Sequence, residues 1–361
     1  MNNHDLFRQV ASALEHGRHV ALVTVTATSG STPGKVGYKM AVLDQGQEPA
    51  GTVGGGLVEA KMIEQARNML AGRSARWFRF DLGSTPEDDK GICGGSVELL
   101  IETFDGTARS LFQELAVVAD REEGGVLVSL ISPNGPTRKI RLANAAQIDP
   151  ATGSEFPPEI AAAIKEAART GGAGVRVSAG AVEVFVESLT PAPTAIVFGA
   201  GHVASHIARY AKSVHFRVVV CDERREYANE ARFPDADELI VADFEHVFDR
   251  LRIGRDSYVV IVTRGHKCDA LVLEQAVRTE ARYIGMIGSR RKTRLLLETL
   301  RHKGVPQALL DKVYSPIGVS IGAITAEEIA LSIVCELVKV RRLGDAAPLA
   351  HLSTAARGGD L

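Results

Sequence analysis

The sequence predicts an α/β protein in which an N-terminal α+β domain precedes a C-terminal doubly wound parallel sheet. Residues 195–198 form an apolar, strand-like run that passes through three small residues into apolar positions at helical spacing. Beyond this point, strand-like and helix-like segments alternate, as in α/β proteins. Residues 188–193 contain prolines that interrupt both periodicities. We therefore predict a first domain over residues 1–188, a Rossmann-like domain over 189–345 and a disordered tail over 346–361.

The composition argues against nucleic-acid and membrane partners. The 361 residues carry a net charge of −2, which gives no electrostatic attraction to polyanions. No run approaches the roughly 18 apolar residues that cross a bilayer, and the N-terminus lacks the pattern of a signal peptide. The four cysteines show no Cys-x-x-Cys spacing. We therefore expect a cytoplasmic protein without a disulfide framework.

The first loop of interest follows a predicted helix over residues 6–16 and a β-branched strand over 19–26. Residues 28–34 are rich in hydroxyl groups, including those of Ser31 and Thr32, and carry a glycine near each end. Such a loop is either a simple turn or an anion-binding loop built from hydroxyl and backbone N–H groups. The sequence leaves both interpretations open.

A run of three glycines, Gly54, Gly55 and Gly56, stands directly before a predicted helix. Glycine loses much conformational entropy on folding, and a simple connection has no reason to use three in succession. A ligand that contacts backbone N–H groups at the helix N-terminus would explain them. Glu59 lies in the first turn, where it either caps the helix or binds a ligand; we favour capping.

Cys93 lies between glycines at the mouth of a predicted strand over residues 96–102. A thiol in such a permissive loop suits a soft metal ligand or a sulfur carrier, and the alternative is a small core residue. The following segment over 110–188 is predicted to continue the first domain with helices and strands. We find no candidate catalytic or ligand-binding residue in this segment.

The second domain begins with a strand-to-helix turn that contains Gly199 and Gly201, followed by His202. Together with Asp222 at the end of the next predicted strand, this pattern is typical of a nucleotide-binding unit, in which the carboxylate binds a ribose. Arg224 and its neighbour Arg225 could neutralise a 2′-phosphate, so NAD, NADP and other nucleotides stay open. A helix is predicted over residues 226–231.

Two later loops follow predicted strands of the second domain, where α/β sheets bind ligands. The first contains Arg264 and His266, and the histidine is the better candidate for acid–base chemistry. The second contains Ser289, Arg290, Arg291 and Lys292. Three cations in the first turn of a helix oppose the helix dipole, so a bound anion is the natural compensation. Solvated charges are the alternative.

Taken together, these motifs resemble those of the XdhC/CoxI family, the accessory proteins of xanthine dehydrogenase and related molybdenum hydroxylases. The resemblance covers nearly the whole chain. The similar blocks are residues 30–33, 54–56, 93–95, 198–203, 263–266, 285–292 and 315–318. The family's usual cofactor-binding cysteine corresponds to Gly56 in this chain, which leaves Cys93 as the candidate thiol.

The resemblance implies a chaperone more than a turnover enzyme. It would bind the molybdenum cofactor (molybdopterin), promote sulfuration with a cysteine desulfurase, and insert the cofactor into a xanthine dehydrogenase-type hydroxylase. A homodimer is also expected. Cys93 would contact molybdenum through the cofactor, and the glycine loops would bind its phosphate or nucleotide. The alternative is an NAD(P)-dependent oxidoreductase that uses His266 as proton donor.

Overall fold

The computed structural model describes residues 3–44, 47–72, 74–82, 94–120, 124–131, 137–143, 156–170, 174–179, 182–189 and 192–344. The contacts between Cα atoms divide the chain into two units, Met1–Pro191 and Ala192–Leu361. The predicted tail over 346–361 and the candidate thiol of Cys93 lie outside the described residues. None of the helices in the described ranges combines the length and apolarity that crossing a membrane requires.

The first unit contains two antiparallel sheets. Its helices are α1 (Asn3–Glu15), α2 (Gly56–Met69), α3 (Arg109–Asp120) and α4 (Pro158–Thr170). Its strands are β1 (Val20–Ser29), β2 (Lys39–Leu43), β3 (Ala50–Gly51), β4 (Ala75–Asp81), β5 (Ser96–Phe104), β6 (Gly125–Ile131), β7 (Arg138–Leu142), β8 (Val175–Ala179) and β9 (Val182–Leu189). The sheet orders are β3-β2-β1-β5-β4 and β7-β6-β9-β8.

The central strand β1 is buried on both faces, which explains its almost unbroken apolar run. Val20 and Leu22 belong to a core cluster with α1 and α3. Ala21 and Val23 belong to a different cluster, which includes Met62 of α2. Because neighbouring side chains of a strand point to opposite faces, helices cover this sheet on both sides.

Four charged side chains from the two sheets of the first unit form a buried cluster, Lys39, Glu102, Lys139 and Glu187. The Nζ atom of Lys139 lies 2.6 Å from Glu102 Oε2, and that of Lys39 lies 2.6 Å from Glu187 Oε1. Burial lowers the pKa of Lys39 despite the attraction of Glu187. Burial favours the neutral form of Glu187, but the two lysines outweigh it and lower the pKa of this carboxyl. The segment over 110–188 therefore contributes buried charges that the sequence did not reveal.

The second unit is a parallel sheet with helices on both faces. Its strands are β10 (Thr194–Phe198), β11 (Arg217–Asp222), β12 (Glu238–Val241), β13 (Ser257–Ile261), β14 (Tyr283–Met286) and β15 (Val313–Tyr314). Its helices are α5 (His202–Ser213), α6 (His266–Ala276), α7 (Arg290–His302), α8 (Gln307–Leu310) and α9 (Ala326–Leu343). The order β12-β11-β10-β13-β14-β15 is the Rossmann order, which confirms the predicted fold class.

Strand β10 divides the core of the second unit. Ala195 and Val197 pack with residues of α5 and α9, whereas Ile196 and Phe198 pack with residues of α6 and α7. Burial on both faces explains the continuous apolar run from which the parallel sheet was predicted.

The helix predicted over residues 226–231 is wrong. In the continuously described range 192–344, this segment forms turns between β11 and β12. The side chain of Asn229 donates to the carbonyl oxygen of Glu226 at 2.9 Å and accepts from the N–H of Arg232 at 3.2 Å. Such hydrogen bonds offer the backbone an alternative to helical pairing.

Candidate functional sites

Glycine-containing loops pack backbone against backbone near the start of α2. A Cβ atom added at Gly34 would lie 2.2 Å from the Val53 carbonyl oxygen, and one added at Gly54 would lie 2.5 Å from the Gly34 nitrogen. One added at Gly95 would lie 2.4 Å from the Ser29 carbonyl oxygen. Close packing therefore accounts for Gly34, Gly54 and Gly95 without any ligand.

Gly55 and Gly56 differ from these packed glycines. Their φ angles are 77° and 65°, in the left-handed region that favours glycine. A Cβ added at either residue would meet no other atom within 4 Å. The backbone at these two residues therefore borders open space that a ligand can enter.

The carboxylate of Glu59 caps this turn, as favoured from the sequence. Its Oε2 atom accepts hydrogen bonds from Thr52 Oγ1 at 2.5 Å, from the Val53 N–H at 3.0 Å and from the Gly55 N–H at 3.0 Å. Burial opposes ionisation of Glu59, but these hydrogen bonds outweigh it and lower the pKa of the carboxyl. The helix N-terminus is thus already supplied with an internal anion, so a bound anion needs other positive groups.

A cavity of about 310 Å³ beside this turn contains such positive groups. Its lining includes Gly55, Gly56 and Pro33, together with the cations Lys61 and Arg79 and the carboxylate of Asp81. Arg79 lies 3.3 Å from Glu98 and 3.5 Å from Asp81, whereas Lys61 makes no ion pair with the described residues. Neither cation was predicted as a site residue, because Lys61 stands within a helix and Arg79 within a strand, away from the glycine motifs.

The two hydroxyl residues of the preceding loop are placed differently. The Oγ1 of Thr32 is buried and donates to the Gly34 carbonyl oxygen at 2.8 Å, so it serves the loop itself. Ser31 is exposed. Of the two predicted binding residues, Ser31 is thus the one whose side chain a ligand can reach, because the Thr32 hydroxyl is used within the loop.

The glycine turn of the second unit joins β10 to α5. A Cβ added at Gly199 would lie 2.5 Å from the Val262 carbonyl oxygen, so packing against the neighbouring strand requires this glycine. Gly201 is the N-cap of α5, without a side-chain hydrogen bond at the cap, and it borders open space. His202, the first helical residue, is exposed. The geometry leaves backbone N–H groups of the first turn accessible to an anion.

Asp222 lies close to this turn, but its carboxylate has internal partners. It accepts hydrogen bonds from the Ala200 N–H at 2.8 Å and from Nε and Nη2 of Arg224 at 2.9 and 3.1 Å. Burial disfavours the charged form, yet the hydrogen bonds from Arg224 and Ala200 prevail and lower the pKa of Asp222. The Arg224 guanidinium also lies 3.7 Å from the centre of the Tyr227 ring. The position predicted to bind a ribose is therefore occupied by an arginine of the chain.

Replacing Arg224 by alanine is expected to strengthen NADH binding by roughly tenfold, because it frees the Asp222 carboxylate for the ribose hydroxyls. Calorimetric titration with NADH measures this effect. Arg225→Ala is the matched control, since Arg225 is exposed and makes no ion pair with the described residues. An Arg224→Ala affinity equal to or below that of the parent would contradict the blocking role of Arg224.

The end of β13 and the start of α6 carry the next group of candidate residues. The buried carboxylate of Asp269 accepts from Thr263 Oγ1 at 2.5 Å and lies 2.9 Å from Lys292 Nζ. Arg264 lies 3.6 Å from Glu223, which follows β11, on the other side of β10 in the sheet. His266 is exposed. No cluster of three or more His, Cys, Asp or Glu side chains suited to a metal occurs in the part of the chain that the structure describes.

Arg290, Arg291 and Lys292 at the start of α7 were predicted to need a bound anion, and the structure supports this for only two of them. Ser289 caps the helix by accepting from the Lys292 N–H at 3.3 Å. The Lys292 ammonium is neutralised by Asp269, so this cation needs no bound anion. Arg290 and Arg291 are exposed and line a groove of about 430 Å³ on α7. Of the three cations predicted to bind an anion, only Arg290 and Arg291 are therefore available to do so.

The second unit thus brings most of its predicted site residues to one edge of the sheet. Asp222 is the last residue of β11, and Gly201, Arg264 and Ser289 follow β10, β13 and β14. The carboxyl ends of parallel strands share an edge. The ion pairs that occupy the carboxylates of Asp222 and Asp269 were not predicted from the sequence. Arg224 is paired with Asp222, and Lys292 is paired with Asp269. These charges are therefore not free to bind a ligand, contrary to what the sequence suggested.

Comparison with known proteins gives matches over nearly the whole chain. A solved structure from Bacillus halodurans, described as a xanthine dehydrogenase, superposes with a TM-score of 0.77 at 26% identity, covering 98% of this chain and 100% of that one. A Bacillus subtilis protein described as a probable subunit of xanthine dehydrogenase is 25% identical over 339 residues, which cover 91% of this chain and 95% of the relative.

Two Escherichia coli proteins are also similar. The molybdenum cofactor insertion chaperone PaoD is 24% identical over 336 residues, covering 93% of this chain and 88% of PaoD. The uncharacterised protein YqeB is 34% identical over 163 residues, covering 45% of this chain; the match spans less than a third of YqeB, 30% of its length.

Two family models match separate parts of the chain. The model described as the XdhC Rossmann domain matches residues 195–337, which include the parallel sheet except for its first residue, Thr194. The model described as the XdhC and CoxI family matches residues 13–81, which include α2 and the glycine turn before it. These matches confirm the resemblance found in the sequence, and the chain belongs to the XdhC and CoxI family.

Proposed function

We propose that this protein binds the molybdenum cofactor and inserts it into a xanthine dehydrogenase-type molybdenum hydroxylase. The observation that carries the proposal is the cavity at the start of α2, where the open side of Gly55 and Gly56 faces the cations Lys61 and Arg79. The names of the relatives, which describe a cofactor insertion chaperone and a probable component of xanthine dehydrogenase, support the same role.

The residues of this cavity fit the phosphate end of a pterin cofactor. The Lys61 ammonium has no ion-pair partner among the described residues, so it is available for a phosphate. The absence of a side chain at Gly56 lets the ligand approach the backbone, and Phe80 and Leu82 give the cavity an apolar side. When bound, the cofactor would supply the molybdenum and sulfur chemistry of the client. The chain's own residues would hold the phosphate and shield the pterin from water.

Sulfuration of the cofactor is a further part of the proposal. Cys93 would provide a thiolate close to molybdenum, and a cysteine desulfurase would provide the sulfur. Cys93 itself lies outside the described residues. The next residue, Gly94, lies beside the hydroxyl-rich loop, because its carbonyl oxygen would lie 3.1 Å from a Cβ added at Gly30. We also propose that the protein acts in the cytoplasm as a homodimer and as a chaperone instead of a turnover enzyme.

The first experiment is to purify the protein from a molybdenum-replete host and measure oxidised pterin fluorescence and molybdenum in the same denatured extract. Pterin and molybdenum in equal amounts would support the proposed function. If the extract contains neither, and the purified protein also fails to retain added cofactor, the proposal is wrong.

Lys61→Glu is expected to weaken cofactor retention by roughly tenfold or more, because the variant places a carboxylate where the phosphate should bind. The measurement is the pterin content that remains after dialysis. Lys165→Glu, at an exposed residue of α4 in the same unit, is the matched control and should keep the parental content. Equal retention by both variants would exclude Lys61 from the site.

An NAD(P)-dependent oxidoreductase is the weaker proposal. His266 is accessible and Gly201 borders open space, but Asp222 is paired with Arg224. The predicted ribose contact would require that pair to separate. Absence of nicotinamide binding at millimolar NAD⁺ and NADP⁺ would exclude this function.

A further inference from the structure

The groove on α7 extends well beyond the two arginines at the start of the helix. It is lined by Arg290, Arg291, Thr293, Arg294, Leu297, Glu298, Arg301 and Gln307. Four of these residues are arginines and one is a carboxylate, so the lining carries a net charge of +3. This surface is strongly basic on a chain whose overall charge is −2.

The arginines of the groove have no counter-ions among the residues that the structure describes. Arg290, Arg291, Arg294 and Arg301 make no ion pair or side-chain hydrogen bond with the described residues. Lys292, in the same helix, differs because it is held by Asp269. Like charges three and four residues apart destabilise a helix, and those in its first turns also oppose the dipole. The unpaired charges therefore favour an external acidic partner.

The shape of the groove indicates which acidic partner fits. Arg290, Arg294 and Arg301 lie on one face of α7, at spacings of four and seven residues, and Leu297 lies between them on that face. From Arg290 to Arg301 the helix rises by about 16 Å. A single phosphate would contact only one end of this stripe. An amphipathic helix with carboxylates at the same spacing would contact all of it and cover Leu297.

We propose that the groove is the docking surface for an acidic helical segment of the client protein. The proposal rests on the proposed accessory function, since insertion requires the chaperone to contact its client. It assigns client contact to α7 of the second unit and cofactor binding to the cavity at α2 of the first.

The test measures binding of a fluorescent helical peptide with glutamates at spacings of four and seven residues to the full chain, by anisotropy. A peptide of the same composition in scrambled order is the ligand control. We expect tighter binding of the ordered peptide, weaker binding at higher salt, and a loss of affinity of roughly tenfold or more in the double variant Arg294→Glu, Arg301→Glu. Arg252→Glu, at an exposed residue before β13, is the matched control and should change the affinity less than threefold.

Three outcomes would overturn the docking role. In the first, the ordered and scrambled peptides bind equally. In the second, Arg252→Glu weakens peptide binding as much as the double variant Arg294→Glu, Arg301→Glu does. In the third, the double variant loses pterin while its peptide binding stays unchanged. The last result would assign the groove to the cofactor. The pterin content of the parent protein and of the double variant distinguishes the two proposals. If the cofactor proposal is wrong, the parent protein itself lacks pterin; if only the docking proposal is wrong, the parent protein still retains it.

Discussion

Lys139→Met is expected to lower the free energy of unfolding of the first unit by about 3–5 kcal/mol. The Lys139 ammonium lies 2.6 Å from Glu102 Oε2 and 2.6 Å from Ser129 Oγ, and the side chains of Lys139 and Glu102 are 1% and 0% exposed. Methionine keeps most of the length of lysine but removes its charge. Glu102 would then be a buried carboxylate without its closest counter-ion. Urea unfolding followed by the fluorescence of Trp77, the single tryptophan of the chain, reports on this unit.

The double variant Lys139→Met, Glu102→Gln separates loss of charge balance from loss of packing. It removes both charges, so it should recover a substantial part of the lost stability. Lys165→Met, at an exposed position of α4, should stay within about 0.5 kcal/mol of the parent. A single variant as stable as the parent would show that the buried pair does not hold the two sheets together.

Gly199→Ala is expected to destabilise the second unit by about 3 kcal/mol or more. The φ angle of Gly199 is 106°, outside the range that alanine readily adopts. The added Cβ would also lie 2.5 Å from the carbonyl oxygen and 2.8 Å from the carbonyl carbon of Val262. Neither atom belongs to a flexible side chain, so β10 and β13 would have to separate. Hydrogen exchange of the β10 and β13 amides measures the loss.

Gly201→Ala, two residues further on, is the matched control. Gly201 has extended backbone angles, φ −80° and ψ −173°, and an added Cβ meets no atom within 4 Å. The free energy of unfolding of the Gly201→Ala variant should therefore stay within about 0.5 kcal/mol of the parent value. If the two alanine variants lose the same stability, the close approach of Gly199 to Val262 is not the cause.

Local sequence patterns determined much of the fold. The apolar run over residues 195–198 and the following glycine turn were sufficient to predict β10, α5 and the parallel sheet, because burial on both faces needs a continuous apolar strand. The start of α9 was also predictable: Thr325 accepts from the Glu328 N–H at 3.3 Å, and Glu328 accepts from the Thr325 N–H at 3.0 Å. The cap at Glu59 has the same local origin, with partners no more than seven residues away.

Only the tertiary structure decided which charged groups are free. In the sequence, Lys292 belongs to a basic cluster with Arg290 and Arg291. In the structure its ammonium is paired with Asp269, 23 residues earlier in the chain. The buried pair of Lys139 and Glu102 joins residues 37 positions apart, on strands of different sheets. Local periodicity reports whether a residue faces the core, but the partner of a charge depends on which strand ends and sheet faces meet. The sequence by itself therefore determined the family and most of the elements, though not the turns at residues 226–231. The three-dimensional arrangement decided which cations remain for a ligand.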